Sequence, residues 1–567
     1  MVNTFIPRGQ GELIAVAFEG HAGTLHLPGP GQQVRASVVI VPPLGRDRIW
    51  TYRALFEWAN MLAQHGYAVL RYDPRDEGES LFLSAGEETV AKWLEGVEQA
   101  ARFVRRICGE HPLILNGLRI GATFAGSRVE KVRPSALVLW DPLSSGQHWI
   151  RELTLASVMT KTAHTRRDGI EVYGLHLPPE SLAHLERLDI PAFTAICPPV
   201  LLSAPSAAKL LKSRLGPNVD QIAFTGYADL FRDSCASKVP RQLFSETLDW
   251  LNAKFPIEDQ PFSHMPVPPA VLSGGRWHEE GVEFGDGLMG VLCLPTGSVP
   301  RRSLIFCNTS ANPRAGDGSF TTRACRELAG HNLATLRFDF SGCGESPAHA
   351  TGHFHVYETS RTAEVNEAAR FLRGRGVSTV AVAGVCAGGY HAFRALIESE
   401  EIDQALPINA WLSWIPGTSL ERPEPIEAIR SVYLKIPAQI RQYLRFRHKV
   451  RSFLVPKLAL IKQALHPGRA AKSMRAELQK GLRRNRKLNL IMWNEDRALE
   501  GMANFGPQGR WLSTQPGASL SFLPDIDHAV VVRHSQMVVI SEILRLLGLE
   551  QAQSRPSVDG KTNIVSD

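Results

Sequence analysis

Hydrophobic and polar residues follow two alternating patterns along this chain. Short apolar runs, such as Ala36–Val41 and Ser303–Cys307, predict strands that are buried on both faces. Longer stretches with apolar residues three or four positions apart, at about 89–107 and about 358–373, predict amphipathic helices. Because the predicted strands alternate with the predicted helices, we expect an α/β fold with a mostly parallel sheet and helices on both faces.

The pattern occurs twice, with an offset of 266 residues. Residues 64–80, QHGYAVLRYDPRDEGES, correspond to residues 330–346, GHNLATLRFDFSGCGES. The segments GLRIG at 117–121 and GVCAG at 384–388 correspond at nearly the same offset. Self-similarity at a fixed period indicates a duplicated structural unit, so we expect two domains of the same fold in tandem.

The repeat and the distribution of proline predict the domain boundaries. We expect a first domain at 1–255 and a second domain at 276–550. The segment 256–275 is rich in proline and lacks a helical or strand period, so it is predicted to be a linker. The polar residues 551–567 are expected to form a disordered tail.

Each predicted domain carries an insertion before its last strands, at about 147–195 and at about 418–487. After the second insertion we expect strands at Leu488–Trp493 and Ser519–Leu523, and before it a strand at Ala410–Trp414. Insertions at this place lie above the carboxyl ends of parallel strands, where ligands bind in α/β sheets. Both are therefore predicted to be caps over a binding site.

Composition predicts a globular protein without a membrane span. Hydrophobic residues make up 44% and charged residues 21% of the 567 residues, and no apolar run approaches 18 residues. The N-terminus lacks the basic head and apolar run of a signal peptide, so we expect a cytoplasmic protein. Eight scattered cysteines without a C-x-x-C pair argue against a disulfide framework and a structural zinc site. We expect no metal and no cofactor.

The second predicted cap is strongly basic. Residues 418–487 contain 18 Lys and Arg against 4 Asp and Glu, and because the whole chain carries +7, the remainder carries −7. A basic amphipathic segment can bind an anionic membrane surface or an acidic partner. It can equally be a lid with a solvated charged face. No nucleic-acid-binding motif accompanies it, so we expect no nucleic acid partner.

The segment Gly384–Gly388 has the form G-x-nucleophile-x-G between a predicted strand and a predicted helix, with Cys386 at its centre. It resembles the nucleophile elbow of α/β-hydrolases, in which a strained turn presents the central side chain. The alternative is a buried cysteine before a glycine-rich helix start. The positive end of that helix would favour a thiolate at Cys386.

Two further residues complete a predicted triad in the second domain. Asp496 and His528 follow the strands at which α/β-hydrolases carry their acid and their histidine, in the required chain order. Asp525 or Asp527 could also serve as the acid. The backbone N–H groups of Ala387 and Thr309 would form the oxyanion hole, with Thr309 supplied by the loop after the first buried strand of this domain.

The first domain lacks all three residues at the corresponding positions. Arg119 replaces the nucleophile, Leu230 corresponds to the histidine, and the acid position falls near Pro205 and Ser206. A guanidinium is not a nucleophile and stays protonated, so we expect this domain to be non-catalytic. Arg119 could bind a carboxylate or phosphate, or form a salt bridge to Asp73 or Asp76.

Both domains thus resemble α/β-hydrolases, through these segments and through the turn R-[YF]-D-x-x-x-x-G-E-S at 71–80 and 337–346. The finer resemblance is to hydrolases associated with bacterial exosortase and exopolysaccharide systems. GLRIGA at 117–122 and VYGLHLPPESLAHLERLDI at 172–190 match an arginine form of that family, and GVCAG matches a cysteine form. The resemblance implies an acyl substrate that is a small molecule or a saccharide.

We therefore expect an esterase-like or thioesterase-like second domain that works through Cys386, His528 and Asp496 and an S-acyl intermediate. Acyl transfer to a sugar hydroxyl is compatible with the same residues. The alternative from another class is a non-catalytic, membrane-proximal scaffold or binding protein. The oligomeric state, the acyl group and the acceptor are left open by the sequence.

Overall fold

The computed structural model describes residues 4–5, 11–29, 32–109, 111–160, 169–191, 198–205, 208–257, 264–297, 300–347, 360–412, 469–482, 485–496, 498–506 and 509–549. Within these ranges the chain forms two α/β domains, each built on a nine-stranded mixed sheet with helices on both faces. The predicted fold class is therefore confirmed. None of the helices in the described ranges is long and apolar enough to cross a membrane.

In the first domain the strands of the large sheet lie in the order β1-β2-β3-β5-β4-β6-β7-β10-β11. From β5 to β11 neighbouring strands are parallel, and a hairpin of β8 and β9 lies apart in the cap. The strands are β1 Thr4–Phe5, β2 Gly11–Phe18, β3 His21–Pro28, β4 Ala36–Val41, β5 Tyr67–Tyr72, β6 Leu113–Leu118, β7 Ala136–Trp140, β8 Ile170–Val172, β9 Leu175–Leu177, β10 Val200–Ser203 and β11 Val219–Gln221. The helices are α1 Arg46–Gln64, α2 Thr89–Cys108, α3 Ile120–Ser127, α4 Val129–Val132, α5 Gly146–Thr160, α6 Pro179–Glu186, α7 Ala208–Leu215, α8 Tyr227–Leu230 and α9 Arg241–Lys254.

The second domain repeats this strand order as β12-β13-β14-β16-β15-β17-β18-β19-β20. The repeat in sequence is therefore a repeat of topology. Its strands are β12 Val271–Gly274, β13 Trp277–Phe284, β14 Leu288–Pro295, β15 Arg302–Cys307, β16 Ala334–Phe338, β17 Thr379–Val385, β18 Gln404–Ile408, β19 Lys487–Trp493 and β20 Ala518–Leu523. Its helices are α10 Phe320–Gly330, α11 Thr362–Gly374, α12 Ala387–Glu398, α13 Arg469–Leu482, α14 Ala498–Gly501, α15 Arg510–Ser513 and α16 Arg533–Leu547.

The core of each domain lies on both faces of its sheet. In the first domain, Trp58 of α1 and Phe244 of α9 pack against Trp140 of β7, with ring centroids 5.3 and 5.6 Å from that of Trp140. In the second domain, Phe320 of α10 packs on Phe306 of β15. Burying each such ring stabilises the fold by roughly 1.5–3 kcal/mol. The sheets are thereby held rigid, so their strand ends can fix side chains in place.

Two predicted segments differ from the structure. The strand predicted at Ala410–Trp414 is wrong, because the chain pairs as β18 from Gln404 to Ile408. Pro407 lies inside this central strand, where a residue without an N–H donor is unusual. Within the predicted linker 256–275, Val271–Gly274 pair with β13 as strand β12.

Other predictions fall on residues that the structure does not describe. The tail 551–567 lies outside the described ranges, and so do residues 418–468 of the predicted basic cap. In that cap the described helix α13 agrees with the predicted helical content. Contact of 418–487 with an anionic membrane stays a prediction.

The two domains contact each other through the repeated turn, and the contact is reciprocal. Arg71 of the first domain binds Glu345 of the second at 3.2 Å, and Arg337 of the second binds Glu79 of the first at 2.9 Å. Residues 266 apart thus exchange roles across the interface, as in a twofold-symmetric dimer. The four side chains are largely buried. The duplicated halves therefore pack as a pseudo-dimer.

Candidate active site

Cys386 lies at the turn between β17 and α12, in a backbone conformation that few residues adopt. Its φ is 53° and its ψ is −114°. A Cβ on Gly384 would lie 2.3 Å from the carbonyl carbon of Gly388, and a Cβ on Gly388 would lie 2.7 Å from the carbonyl oxygen of Asn308. Only glycines therefore allow the helix to start this close to the strand. Strain of this kind at one residue is typical of a functional turn.

The structure brings the three predicted triad residues together. Nδ1 of His528 lies 2.7 Å from Oδ2 of Asp496, and the Cys386 thiol forms a hydrogen bond with the same imidazole. Oδ1 of Asp496 accepts the N–H of Ala498 at 2.7 Å, which fixes the carboxylate. The Asp496 side chain is 1% exposed, whereas that of His528 is 46% exposed. The carboxylate of Asp496 is thus shielded from solvent, whereas the imidazole of His528 is accessible to a substrate.

The surroundings of His528 favour its charged form. Partial burial opposes the charge, but the hydrogen bonds to Asp496 and to Cys386 outweigh burial and raise the pKa of His528 from 6.5 to about 10. An imidazolium is stabilised in this way when its partners are anionic. The arrangement therefore favours a protonated imidazole next to Cys386.

The alternative acids Asp525 and Asp527 do not contact the imidazole in the described hydrogen bonds. The carboxylate of Asp527 accepts the N–H groups of Val531 and Val532, so it closes the turn before α16. Asp525 lies in the same turn with a φ of 56°. Of the three candidate acids, Asp496 is the one placed against His528.

Asn409 is a residue of this site that the sequence analysis missed. Its side-chain amide donates to the carbonyl oxygens of Asp527 and His528, and its carbonyl accepts the N–H of Trp493. It therefore ties the histidine loop to the strand ends of β18 and β19. The sequence carries no signal for this role, because its apolar pattern predicts the strand six residues too late, from Ala410 and not from Gln404.

The predicted oxyanion-hole residues lie on the two segments that border Cys386. Ala387 is the first residue of α12, so its N–H has no partner within the helix. Thr309 belongs to residues 308–316, which we call the oxyanion loop. Asn308 anchors this loop by donating to Oδ1 of Asp339 at 3.0 Å and by accepting the N–H of Phe340 at 2.8 Å. The repeated Arg-Phe-Asp turn thus braces the loop that would hold an oxyanion.

The first domain keeps the turn and replaces its chemistry. Arg119 has a φ of 54° and a ψ of −125°, nearly the values of Cys386. Its guanidinium lies 3.0 Å from Asp141, 2.5 Å from Glu152 and 3.3 Å from Asp47. Burial opposes its charge, but these carboxylates outweigh burial and raise the pKa of Arg119. The guanidinium is already neutralised by protein carboxylates, which leaves the predicted anion-binding role without support.

The salt-bridge partners proposed for Arg119 from sequence are engaged elsewhere. Asp73 binds Arg48 at 3.0 Å and Asp76 binds Arg533 at 2.5 Å. The position of the missing histidine is occupied by Leu230, which is buried in α8. Ser206 lies outside the described residues. The described part of the first domain therefore places a salt-bridge cluster where the second domain has its triad.

No family model matches this chain, and no curated protein matches it. Similar solved structures include an esterase from Pyrococcus furiosus (14% identity, TM-score 0.31), which covers 50% of this chain and 98% of its own. A serine hydrolase without a lid from Xanthomonas campestris (15%, 0.30) covers 48% and 94%, and a dienelactone hydrolase from Anabaena variabilis (15%, 0.29) covers 49% and 96%. The solved structures named here are α/β hydrolases or esterases, and each spans about half of the chain.

Proposed function

We propose that the second domain is an acyl-transfer hydrolase that uses Cys386 as nucleophile, His528 as base and acid, and Asp496 as the orienting carboxylate. One observation carries the proposal. Three residues from the ends of three different strands meet in one hydrogen-bonded chain, with the thiol at a strained turn and the carboxylate enclosed. This is the arrangement by which a weak nucleophile is activated by an adjacent base.

The reaction follows from these positions. The sulfur of Cys386 attacks the carbonyl carbon of the substrate, and its proton resides on His528. The carbonyl oxygen becomes an oxyanion that the N–H groups of Ala387 and Thr309 would stabilise. His528 then gives its proton to the departing oxygen or sulfur, which leaves an S-acyl enzyme. In the second half, His528 takes a proton from water, the water oxygen attacks the acyl carbon, and the thiol is restored.

The chemistry of a thiolate selects the substrate class. A thiolate is expelled from the tetrahedral intermediate as readily as it attacks. The departing group of the substrate therefore has to be at least as good a leaving group as the thiolate. Thiolates and the oxyanions of activated esters meet this condition unaided, whereas an amine meets it only when His528 protonates the departing nitrogen. We therefore infer that an ester or thioester is preferred to an amide as the substrate. Transfer of the acyl group to a sugar hydroxyl in exopolysaccharide metabolism rests on the family resemblance alone.

The test is to detect the acyl enzyme. The full-length protein is incubated with p-nitrophenyl acetate, p-nitrophenyl butyrate and an acyl-thioester, and both product release and intact mass are measured. We expect turnover of at least one donor and a mass increase of one acyl group. Cys386→Ala should lose the adduct entirely, because no sulfur remains to carry it.

His528→Ala separates the two halves of the reaction. Without the base that activates water, an acyl enzyme formed from a reactive donor should persist, so the adduct accumulates while turnover falls by about 10²–10⁴-fold. Cys108→Ala serves as control, because Cys108 is a free thiol that packs in the core of the first domain. Absence of adduct and of turnover with every donor would instead favour the non-catalytic scaffold.

A further inference from the structure

The first domain contacts the candidate active site of the second at the oxyanion loop. The hydroxyl of Ser234 donates to Oδ1 of Asn312 at 2.5 Å, and the neighbouring Cys235 thiol interacts with the hydroxyl of Ser310. Ser310 follows Thr309 directly, and Asn312 lies three residues after Thr309. The contact therefore joins a loop of the non-catalytic half to the segment that would bind an oxyanion in the other half.

Asn312 determines the shape of the oxyanion loop. Its N–H donates to the carbonyl oxygen of Thr309 at 3.0 Å, and its own carbonyl accepts the side-chain amide of Asn308 at 2.9 Å. Its side-chain amide donates to Oδ2 of Asp317 at 2.8 Å. Between these bonds Ser310 is held at a φ of 54°, in the left-handed region. A bond from Ser234 to Asn312 thus acts on the turn that orients the N–H of Thr309.

The loop that carries Ser234 is held by hydrogen bonds within the first domain. The N–H groups of Ala236 and Ser237 both donate to the carbonyl oxygen of Asp233, and the hydroxyl of Ser237 donates to the carbonyl oxygen of Leu230. This loop follows α8, the helix that occupies the place of the catalytic histidine in the first domain. In the second domain the corresponding segment would carry the catalytic histidine. In the first domain this segment is held by its own hydrogen bonds and contacts the oxyanion loop of the second domain.

A second contact reaches the histidine side of the same site. A carboxylate oxygen of Glu171, in the cap hairpin of the first domain, accepts the N–H of Arg533 at 2.7 Å. Arg533 is the first residue of α16, which begins five residues after His528, and it also binds Asp76 of the first domain. A carboxylate at a helix N-terminus is favourable for the helix dipole. The first domain therefore holds the segments on both sides of Cys386.

We infer that the first domain is a positioning module for the catalytic site of the second, and that Ser234 is a positioning residue that orients the oxyanion loop through Asn312. The inference rests on the proposed acyl-transfer function for its catalytic part. Its structural part, that the loop shape depends on Ser234, stands independently. The alternative is an interface hydrogen bond without influence on the site.

The experiment uses the full-length chain with Ser234→Ala and two readouts. Hydrogen–deuterium exchange of peptides covering 307–316 is expected to rise, because the loop loses its tie to the first domain. With the acyl donor that the wild type turns over, kcat is expected to fall about tenfold or more with KM nearly unchanged, since a displaced N–H weakens binding of the oxyanion and not of the ground state. The melting temperature should stay within a few degrees of the wild type.

Two variants provide matched controls. Ser234→Thr keeps the hydroxyl donor and should restore both the exchange of 307–316 and kcat to within a few-fold of wild type. Ser127→Ala, at the end of α3, removes a hydroxyl of similar burial that donates to the carbonyl oxygen of Phe124 within the first domain. This variant should change neither readout.

The outcomes separate the two proposals. Unchanged exchange at 307–316 in Ser234→Ala overturns the positioning of the loop whatever the activity. Raised exchange with unchanged kcat overturns its catalytic role. If the wild type forms no acyl enzyme but Ser234→Ala raises exchange as expected, the acyl-transfer function fails and the structural coupling between the domains stands.

Discussion

Cys386 and Arg119 share a backbone conformation and differ in their neighbours. At the residue scale, the contrast continues at the end of the next strand in each domain. Asn409, with a φ of 47°, binds the histidine loop, whereas Asp141, with a φ of 46°, neutralises Arg119 and accepts the hydroxyl of Tyr227. Both halves have these strained positions, and the side chains on them determine whether a thiol beside a histidine or an ion-pair cluster results.

The pKa of His528 gives a residue-scale prediction. It is raised from 6.5 to about 10 by hydrogen bonds to Asp496 and Cys386 that outweigh burial. The group therefore stabilises the fold fully below pH 6.5, and this contribution is lost as the pH rises through about 10. Asp496→Asn should move the pKa of His528 back towards 6.5. The change is measured by NMR titration of the imidazole Cε1 proton.

The resonance is assigned by its absence from the spectrum of His528→Gln. Asp527→Asn is the matched control, because Asp527 precedes the histidine but binds backbone N–H groups instead of the imidazole. An unchanged titration in Asp496→Asn would show that the hydrogen bond to Asp496 does not raise the pKa.

At the element scale, the junction of β17 with α12 depends on the absence of side chains. We predict that Gly384→Ala destabilises the protein by about 1–3 kcal/mol or more, because its Cβ would meet the backbone of Gly388 at 2.3 Å and backbone cannot move aside as a flexible side chain would. Chemical denaturation measures the free energy of unfolding. The same substitution should slow acylation of Cys386, since the helix start shifts.

Gly374→Ala, at the last residue of α11, is the control for that prediction. Nothing lies within 4 Å of a Cβ at this exposed position, so we expect a gain of about 0.4–1 kcal/mol from the reduced freedom of the unfolded chain. Equal effects of the two substitutions would contradict the packing argument for the turn.

The bounds of helices and strands are predicted well where the apolar residues follow one regular spacing. Helix α2 and strand β20 begin and end within one residue of their predicted bounds, and β4 has its predicted bounds. The prediction failed at β18, where Pro407 interrupts an apolar run in a strand that pairs on both sides. A buried strand and the apolar segment after it look alike in sequence, so only the pairing partners distinguish them.

At the scale of the whole molecule, buried charges join the two domains. Glu345 accepts from Arg71 and Arg314, and also from the hydroxyl of Thr24. Burial opposes its ionisation, but the two guanidinium groups outweigh burial and lower the pKa of Glu345 from 4.5 to about 2. A cluster of this kind contributes less to the free energy of unfolding than to the specific pairing of the two domains, because the desolvation of the charges offsets most of their attraction. Removal of one member is nevertheless costly.

We therefore predict that Glu345→Gln destabilises the protein by about 3–5 kcal/mol at pH 7, since Arg71 and Arg314 lose a buried counter-ion. In the wild type this contribution is present above pH 4.5 and is lost as the pH falls through about 2. Urea denaturation at pH 7, 4.5 and 3 should show the difference between variant and wild type shrinking with acidity.

Glu57→Gln is the control for the buried cluster. Glu57 binds Arg53 on the surface of α1, where its side chain is 36% exposed, so an effect below about 1 kcal/mol is expected. If Glu345→Gln lowered the free energy of unfolding by as little as Glu57→Gln, the reciprocal ion pairs would not hold the domains together.

The sequence by itself determined the duplication, the α/β class of both halves and the identity of the residues at each turn, because hydrophobic periodicity and repeated motifs are local properties. It also indicated that Cys386, Asp496 and His528 belong to one site, through their order after successive strands. Tertiary structure alone decided that Asp496 and not Asp527 faces His528, that Arg119 is bound by Asp47, Asp141 and Glu152, and that Ser234 touches the oxyanion loop. These contacts join residues far apart in the chain, and their partners depend on how the two sheets pack, which no local pattern encodes.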